Sequence, residues 1–89
     1  MADAIGTRLA RLATRVQVLA VTHAPQVAAR SGNHLRISKA ATHGGDRVAT
    51  QVTVLESDSR REEIARMLAG AKITEEARAA AQRLIEAES

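Results

Sequence analysis

Residues 16–30 read VQVLAVTHAPQVAAR, and this stretch decides the fold that the sequence predicts. Its first part, 16–22, is apolar but for Gln17 and its last residue, which favours a strand covered on both faces, as in parallel sheets. Ligands of such sheets bind at the carboxyl ends of the strands, where Thr22 and His23 lie. An imidazole there can donate a hydrogen bond to a phosphate oxygen or orient a water molecule. A histidine bonded to local backbone is the open alternative.

On either side of this strand the sequence predicts helices and a hairpin. Residues 3–14 place apolar side chains at helical spacing, and Pro25 suits the first turn of a short helix over 25–31. Residues 34–55 alternate between apolar and polar types around a Thr-His-Gly-Gly-Asp turn at 42–46. This alternation predicts an antiparallel hairpin.

The last third of the chain predicts two helices. Ser59 and Glu62 match a capping box for the first helix, and Gly70 is expected to end it. Thr74 is expected to cap the second helix, whose acidic first turn suits the helix dipole. The apolar faces comprise Ile64, Met67 and Leu68 in the first helix and Ala77, Ala81, Leu84 and Ile85 in the second.

The composition is that of one small domain or a piece of a larger one. The chain has 89 residues, no aromatic residue and no cysteine, so a core must be built from Val, Leu, Ile, Met and Ala. Disulfides and thiolate metal sites are excluded. No secretory signal and no apolar run of membrane-spanning length are present, which predicts a cytoplasmic protein without a membrane partner.

The positive charge is concentrated in the first part of the chain. Residues 1–55 have a balance of +5, and residues 56–89 have a balance of −2. One interpretation is a stand-alone basic module that binds nucleic acid, and the other is a set of solvated faces. The basic side chains of the first interpretation are Arg8, Arg11, Arg15 and Arg30.

The predicted strand at 16–22 needs neighbours that this chain does not supply. It requires strands on both sides and helices on both faces, whereas the hairpin at 34–55 has polar alternate positions. We therefore expect the chain to be part of a larger α/β sheet, or to be completed by a partner. The patterns GxxxxGK[ST], HExxH and GxSxG are absent from the sequence. His34 and His43 are predicted to be a strand-surface residue and a turn residue.

Four blocks of the sequence carry a resemblance to a known family. They are ADAIGTRLARLA, VQVLAVTHAPQVAAR, HLRISK and REEIARMLAGAKITEEARAAAQRLI. Together they resemble the end of an ATP-binding-cassette head of the SMC-like kind, in particular that of the RecN family of bacterial DNA repair proteins. The resemblance covers essentially the whole chain and is least specific at 40–47.

This resemblance implies a fold class, α/β, as the C-terminal fragment of a P-loop NTPase head. The implied order is helix, buried strand, short helix, β-hairpin and two C-terminal helices. Residues 1–89 would form a partial head lobe, with 1–55 as the helix-strand-helix-hairpin part and 56–89 as the C-terminal helical pair.

The resemblance also implies a role for the strand exit. His23 would be the switch histidine that contacts the γ-phosphate of ATP at a head–head interface. Thr22 would position the loop, and Pro25, Gln26 and Val27 would start the helix behind it. ATP, magnesium, DNA and a second, identical head would be the cofactors and partners of the complete parent protein.

In that family the Walker A, Walker B, signature and D-loop motifs lie upstream of the part that this chain resembles. The parent family is an ATPase of double-strand-break repair and recombination, but this chain alone is expected to be inactive and to need no cofactor. A stand-alone basic module, or a protein that completes the ATPase lobe of a separate partner, is the alternative.

Overall fold

The computed structural model describes residues 2–42 and 47–87. Within these ranges the chain forms helices and an antiparallel pair of strands, which agrees with a mixed α/β class. In chain order the elements are α1 (Ala2–Leu12), α2 (Pro25–Ala28), β1 (His34–Ala41), β2 (Val48–Leu55), α3 (Ser57–Ala69) and α4 (Glu75–Glu86).

Helix α1 packs on the short helix α2 through a glycine. Gly6 is buried, and a Cβ placed there would lie 3.1 Å from the carbonyl oxygen of Gln26 and 3.3 Å from the Cα of Val27. The absence of a side chain therefore lets the two backbones approach closely. Both helices were predicted, and α2 is shorter than expected because it ends at Ala28.

The predicted strand at 16–22 is wrong for this chain. No regular secondary structure is assigned to these residues, and Leu19 and Val21 are 82% and 87% exposed. The physical reason is that a strand needs a hydrogen-bonding neighbour. The two strands of the described sheet pair with each other along their full lengths, and no further strand joins them.

The hairpin at 34–55 is confirmed. Strands β1 and β2 pair in antiparallel register, from His34 opposite Leu55 to Ala41 opposite Val48. Directly paired residues share one face of a sheet. Leu55 lies on one face of the hairpin and is buried. The opposite face is exposed and carries Leu35, Ile37, Val48, Val52 and Val54. His43 and most of the predicted turn at 42–46 lie outside the described residues.

Helix α3 begins two residues before the predicted cap. Its N-cap is Glu56, whose side chain makes no capping bond, so the capping box of Ser59 and Glu62 is wrong. The reason is that β2 leads directly into the helix, which leaves Ser59 inside the first turn rather than before it. Gly70 ends the helix with φ 82°, as predicted, because a left-handed conformation there favours glycine.

Helices α3 and α4 enclose a small core. Its buried members are Ala29, Ile64, Ala65, Ala77 and Ala81, with Ile73, Leu84 and Ile85 packed around them. Among the described residues Ile64 is the largest fully buried side chain. The predicted apolar face of α4 is confirmed, but Leu68 of α3 is 38% exposed.

The molecule is less compact than its length suggests. Its radius of gyration is 14.4 Å, compared with about 12 Å for a compact domain of this size. The irregular stretch 16–24 and the exposed hairpin face account for this difference, since neither is covered by the helices.

Candidate functional site

Thr22 and His23 lie on an exposed turn that leads into α2. The Thr22 Oγ1 accepts a hydrogen bond of 3.0 Å from the backbone N–H of Ala24. A hydroxyl bonded two residues along the chain forms a local turn and fixes its backbone. The turn therefore has a defined geometry although no strand precedes it.

The first turn of α2 follows at once. Ala24 is extended, at φ −90° and ψ 117°, and its carbonyl accepts hydrogen bonds of 3.1 Å from the N–H groups of Val27 and Ala28. Pro25 occupies the first turn, where its missing N–H costs nothing. The short helix behind the histidine is thus present, and Pro25, Gln26 and Val27 begin it, as expected.

The imidazole of His23 is exposed, and none of the hydrogen bonds or ion pairs among the described residues involves it. A single ring N–H in this position fits one oxygen of a phosphate group. Within residues 2–42 and 47–87, no three His, Cys, Asp or Glu side chains come together as a metal site. What the turn offers chemically is an exposed imidazole with a ring N–H, on a backbone held by the hydrogen bond between Ala24 and Thr22.

The C-terminal end of α2 is held by an arginine from α3, which the sequence patterns did not single out. The Arg60 Nη2 donates to the carbonyl oxygens of Ala28, Ala29 and Ser31 at 3.4, 2.9 and 2.6 Å. Carbonyls at the end of a helix lack partners within it, and a cation is favourable there. Since 29 to 32 residues separate the partners, no local signal could have found this contact.

A second arginine joins α1, α2 and the end of α4. The Arg30 Nη2 lies 2.7 Å from the Asp3 carboxylate, and its Nη1 donates to the carbonyl of Ala87 at 3.0 Å. Arg30 therefore has a structural role, and its place in a nucleic-acid surface stays a prediction. Arg8, Arg11 and Arg15 are exposed, and no ion pair of the described residues includes them.

His34 lies at the start of β1, where it is half-buried rather than on an open strand surface. Its Nδ1 is buried and has no hydrogen-bond partner among the described residues. Burial, and then the nearby Arg60 charge, lower the pKa of His34, whereas Glu63 opposes this shift. A groove of about 570 Å³ beside it contains Arg60 and Gln82 but neither Thr22 nor His23.

Arg78 of α4 forms two ion pairs, one within α4 and one that links α4 to α3. The Arg78 Nε lies 2.7 Å from a carboxylate oxygen of Glu62, and its Nη1 bonds to Glu75. The hydrogen bond from Arg78 lowers the pKa of Glu62. This cluster fastens the two helices, and its ion pairs among the described residues do not include Thr22 or His23.

Similar proteins were found by sequence. A DNA repair protein RecN of Xylella fastidiosa is 46% identical over 86 residues, which are 97% of this chain and 15% of that protein. A DNA repair protein RecN of Streptomyces coelicolor is 49% identical over 82 residues, covering 92% of this chain and 14% of that protein. A DNA repair protein RecN of Mycobacterium leprae is 47% identical over 83 residues, covering 93% of this chain and 14% of that protein. No family model matches the chain.

By these similarities the chain corresponds to one segment of bacterial DNA repair proteins. More particularly, it belongs to the RecN family. The chain spans about one seventh of the length of the relatives that it matches, from 14% to 15% in these comparisons. In the described ranges, no helix has the length and apolar character needed to cross a bilayer.

Proposed function

We propose that this chain is the C-terminal part of a P-loop ATPase head of the SMC-like kind, and that the complete protein uses ATP in DNA repair and recombination. Within that head, His23 donates a hydrogen bond to the γ-phosphate of ATP at the contact with a second, identical head, and Thr22 holds the turn. Residues 1–55 and 56–89 form the two parts of the lobe. The setting is cytoplasmic.

The observation that carries this proposal is the geometry of the Thr22–His23 turn. The Thr22 hydroxyl is already bonded to Ala24, so the turn is ordered before any ligand binds. The imidazole of His23 is exposed and has no partner among the described residues, so it is free to meet a phosphate oxygen. ATP and magnesium would be held by the remainder of the head, because the Thr22–His23 turn contributes a single ring N–H to the phosphate.

The exposed apolar surfaces support the proposal that this chain forms only part of a head lobe. Leu19 and Val21 are almost fully exposed, and the outward face of the hairpin exposes Leu35, Ile37 and Val52. Contiguous apolar surface of this kind is normally covered in a stable protein. In the proposed head, the segments missing from this chain cover both surfaces.

A chimeric protein tests the proposal. The 86 matched residues of the Xylella fastidiosa relative are replaced by those of this chain, and magnesium-dependent ATP hydrolysis is measured. We expect the chimera to hydrolyse ATP and His23→Ala to lower kcat by about 100-fold, the lower range for the loss of one hydrogen-bond donor to the charge of the transition state. Gln17→Ala, an exposed change in the same irregular stretch, is the matched control and should leave kcat unchanged.

Two results would contradict the proposal. If kcat is unchanged in His23→Ala, the proposed contact between His23 and the γ-phosphate is contradicted. An inactive chimera beside an active unaltered relative would mean that this chain is not equivalent to the segment it replaces.

A second candidate function is favoured by three arginines in and just after α1 that form no ion pair with the described residues. Arg8 and Arg11 lie on α1 and Arg15 on the turn after it, all three exposed. They provide positive charge for DNA phosphates, and such binding weakens steeply with salt. Duplex DNA titrated with the 89-residue chain at 50 and 200 mM salt should then show loss of affinity, and Arg8→Gln with Arg11→Gln should reduce the salt dependence. Binding that is absent at 50 mM salt would dismiss this candidate.

A further inference from the structure

Arg60 occupies the first part of α3 and reaches across to a different element. Its Nη2 lies 2.9 Å from the carbonyl oxygen of Ala29 and 2.6 Å from that of Ser31. These carbonyls follow the last residue of α2, so the guanidinium closes the C-terminal end of this helix. A planar guanidinium can satisfy several acceptors at once, whereas an ammonium is a compact point charge.

Helix α2 depends on such external contacts. Four residues, Pro25–Ala28, are far too few for a helix that is stable by itself. One side is held by α1, through the close approach at Gly6. The C-terminal end is held by Arg60, and Ala29, which follows the helix, is buried in the core with Ile64 of α3.

The position of His23 follows from the position of α2. Only Ala24 separates the histidine from Pro25, and the Ala24 carbonyl accepts the first hydrogen bonds of the helix. The Thr22 hydroxyl bonds to the N–H of the same Ala24. A displacement of α2 would therefore carry the turn with it.

We propose that Arg60 is a positioning residue for His23: by closing the end of α2, it fixes the turn that presents the imidazole and couples that turn to α3 and α4. The functional part of this inference rests on the proposed function, because it assumes that His23 meets a phosphate. The coupling itself is a property of the chain and can be measured without ATP.

The coupling is tested by amide hydrogen exchange in the 89-residue chain. Arg60→Met keeps an unbranched apolar stem and removes the hydrogen-bond donors. We expect the amides of Ala28 and Ala29 to exchange about tenfold faster, whereas the amide of Ala81 in α4 keeps its wild-type rate and shows that the helical pair is folded. In Arg60→Lys, the exchange rates of these two amides should lie between those of Arg60→Met and the wild type.

Arg61→Met is the matched control on the same helix. Arg61 forms a 3.6 Å ion pair with the exposed Asp58. Its replacement should leave the exchange of Ala28 and Ala29 unchanged. Wild-type exchange of these two amides in Arg60→Met would overturn the proposal.

The functional part is tested in the chimera described above. Arg60→Met should lower kcat about tenfold and leave the affinity for ADP unchanged, since a misplaced donor loses only its contact with the γ-phosphate, which ADP lacks. Arg60→Lys should restore part of kcat. If His23→Ala lowers kcat and Arg60→Met does not, the positioning role is overturned while the proposed function stands. If His23→Ala itself has no effect, the proposed function fails, and the exchange experiment still decides on the coupling.

Discussion

Gly6 and Arg30 lie so close together that a Cβ added to Gly6 would be 2.9 Å from the Cγ of Arg30. Such a separation is shorter than a van der Waals contact, so one of the two must move. Because Arg30 is also bound to Asp3 and to the carbonyl of Ala87, its displacement would loosen α1, α2 and the end of α4 together.

Gly6→Ala is therefore expected to destabilise the chain. Alanine gains about 1 kcal/mol in helix propensity, but overpacking costs about 1–3 kcal/mol, and the contact with the Gln26 carbonyl is made by rigid backbone. Urea unfolding followed by circular dichroism should show a net loss. Gly32→Ala is the control, because nothing lies within 4 Å of a Cβ at that position. A stabilised Gly6→Ala variant would refute the close packing of α1 on α2.

Ile64 is the largest fully buried side chain of the small core among the described residues. Its side chain is fully buried, so Ile64→Ala should lower the free energy of unfolding by about 2–5 kcal/mol, enough to unfold a marginal chain. Val21→Ala changes an exposed side chain and should alter it by less than about 0.5 kcal/mol. Equal effects of the two changes on urea unfolding would contradict the described core.

Thr74 caps α4, and its Oγ1 accepts a hydrogen bond of 3.1 Å from the N–H of Ala77. Thr74→Ala should cost about 1 kcal/mol of stability, and Thr74→Ser, which keeps the acceptor, should recover most of it. Ser59→Ala should be neutral because Ser59 lies inside α3 and does not cap it. If Ser59→Ala were the more harmful change, helix α3 would begin where the capping box predicted.

The free energy of unfolding should fall as the pH is lowered through the range in which His34 takes up a proton. Burial and Arg60 hold the pKa of His34 below its ordinary 6.5, so the unfolded chain takes up the proton first as pH falls. The stability present above pH 6.5 is therefore lost progressively as the pH drops below that value toward the folded pKa of His34. His34→Gln should flatten this dependence between pH 7.5 and 5, as measured by urea midpoints. A pH slope that His34→Gln leaves unchanged would rule out His34 as its source.

Local sequence patterns predicted much of this fold. The features that depend on contacts between distant residues could not be predicted from such patterns. The alternation at 34–55 and the cap at Thr74 depend on neighbouring residues, so the sequence revealed both. The apolar run at 16–22 has the composition of a buried strand, but no strand of the described residues pairs with it. Arg60 makes its bonds about 30 residues away, and no spacing rule indicates such a contact.

For the candidate site, sequence predicted the residues and the structure added their geometry. The pair Thr22 and His23 was singled out by its place after an apolar run and by the family resemblance. The bond from Ala24 to the Thr22 hydroxyl could not be predicted, because threonine also favours strands, where its hydroxyl is not required to bond the backbone. The role of His23 toward a phosphate stays a prediction.

The affinity of the chimera for ATP relative to ADP tests the central claim most directly. Only ATP carries the γ-phosphate that His23 is proposed to contact, and a hydrogen bond to a charged group contributes about 1.5–3 kcal/mol. We predict that His23→Ala weakens ATP binding at least about tenfold and leaves ADP binding unchanged. Equal affinities of the wild-type and His23→Ala proteins for ATP would contradict the account.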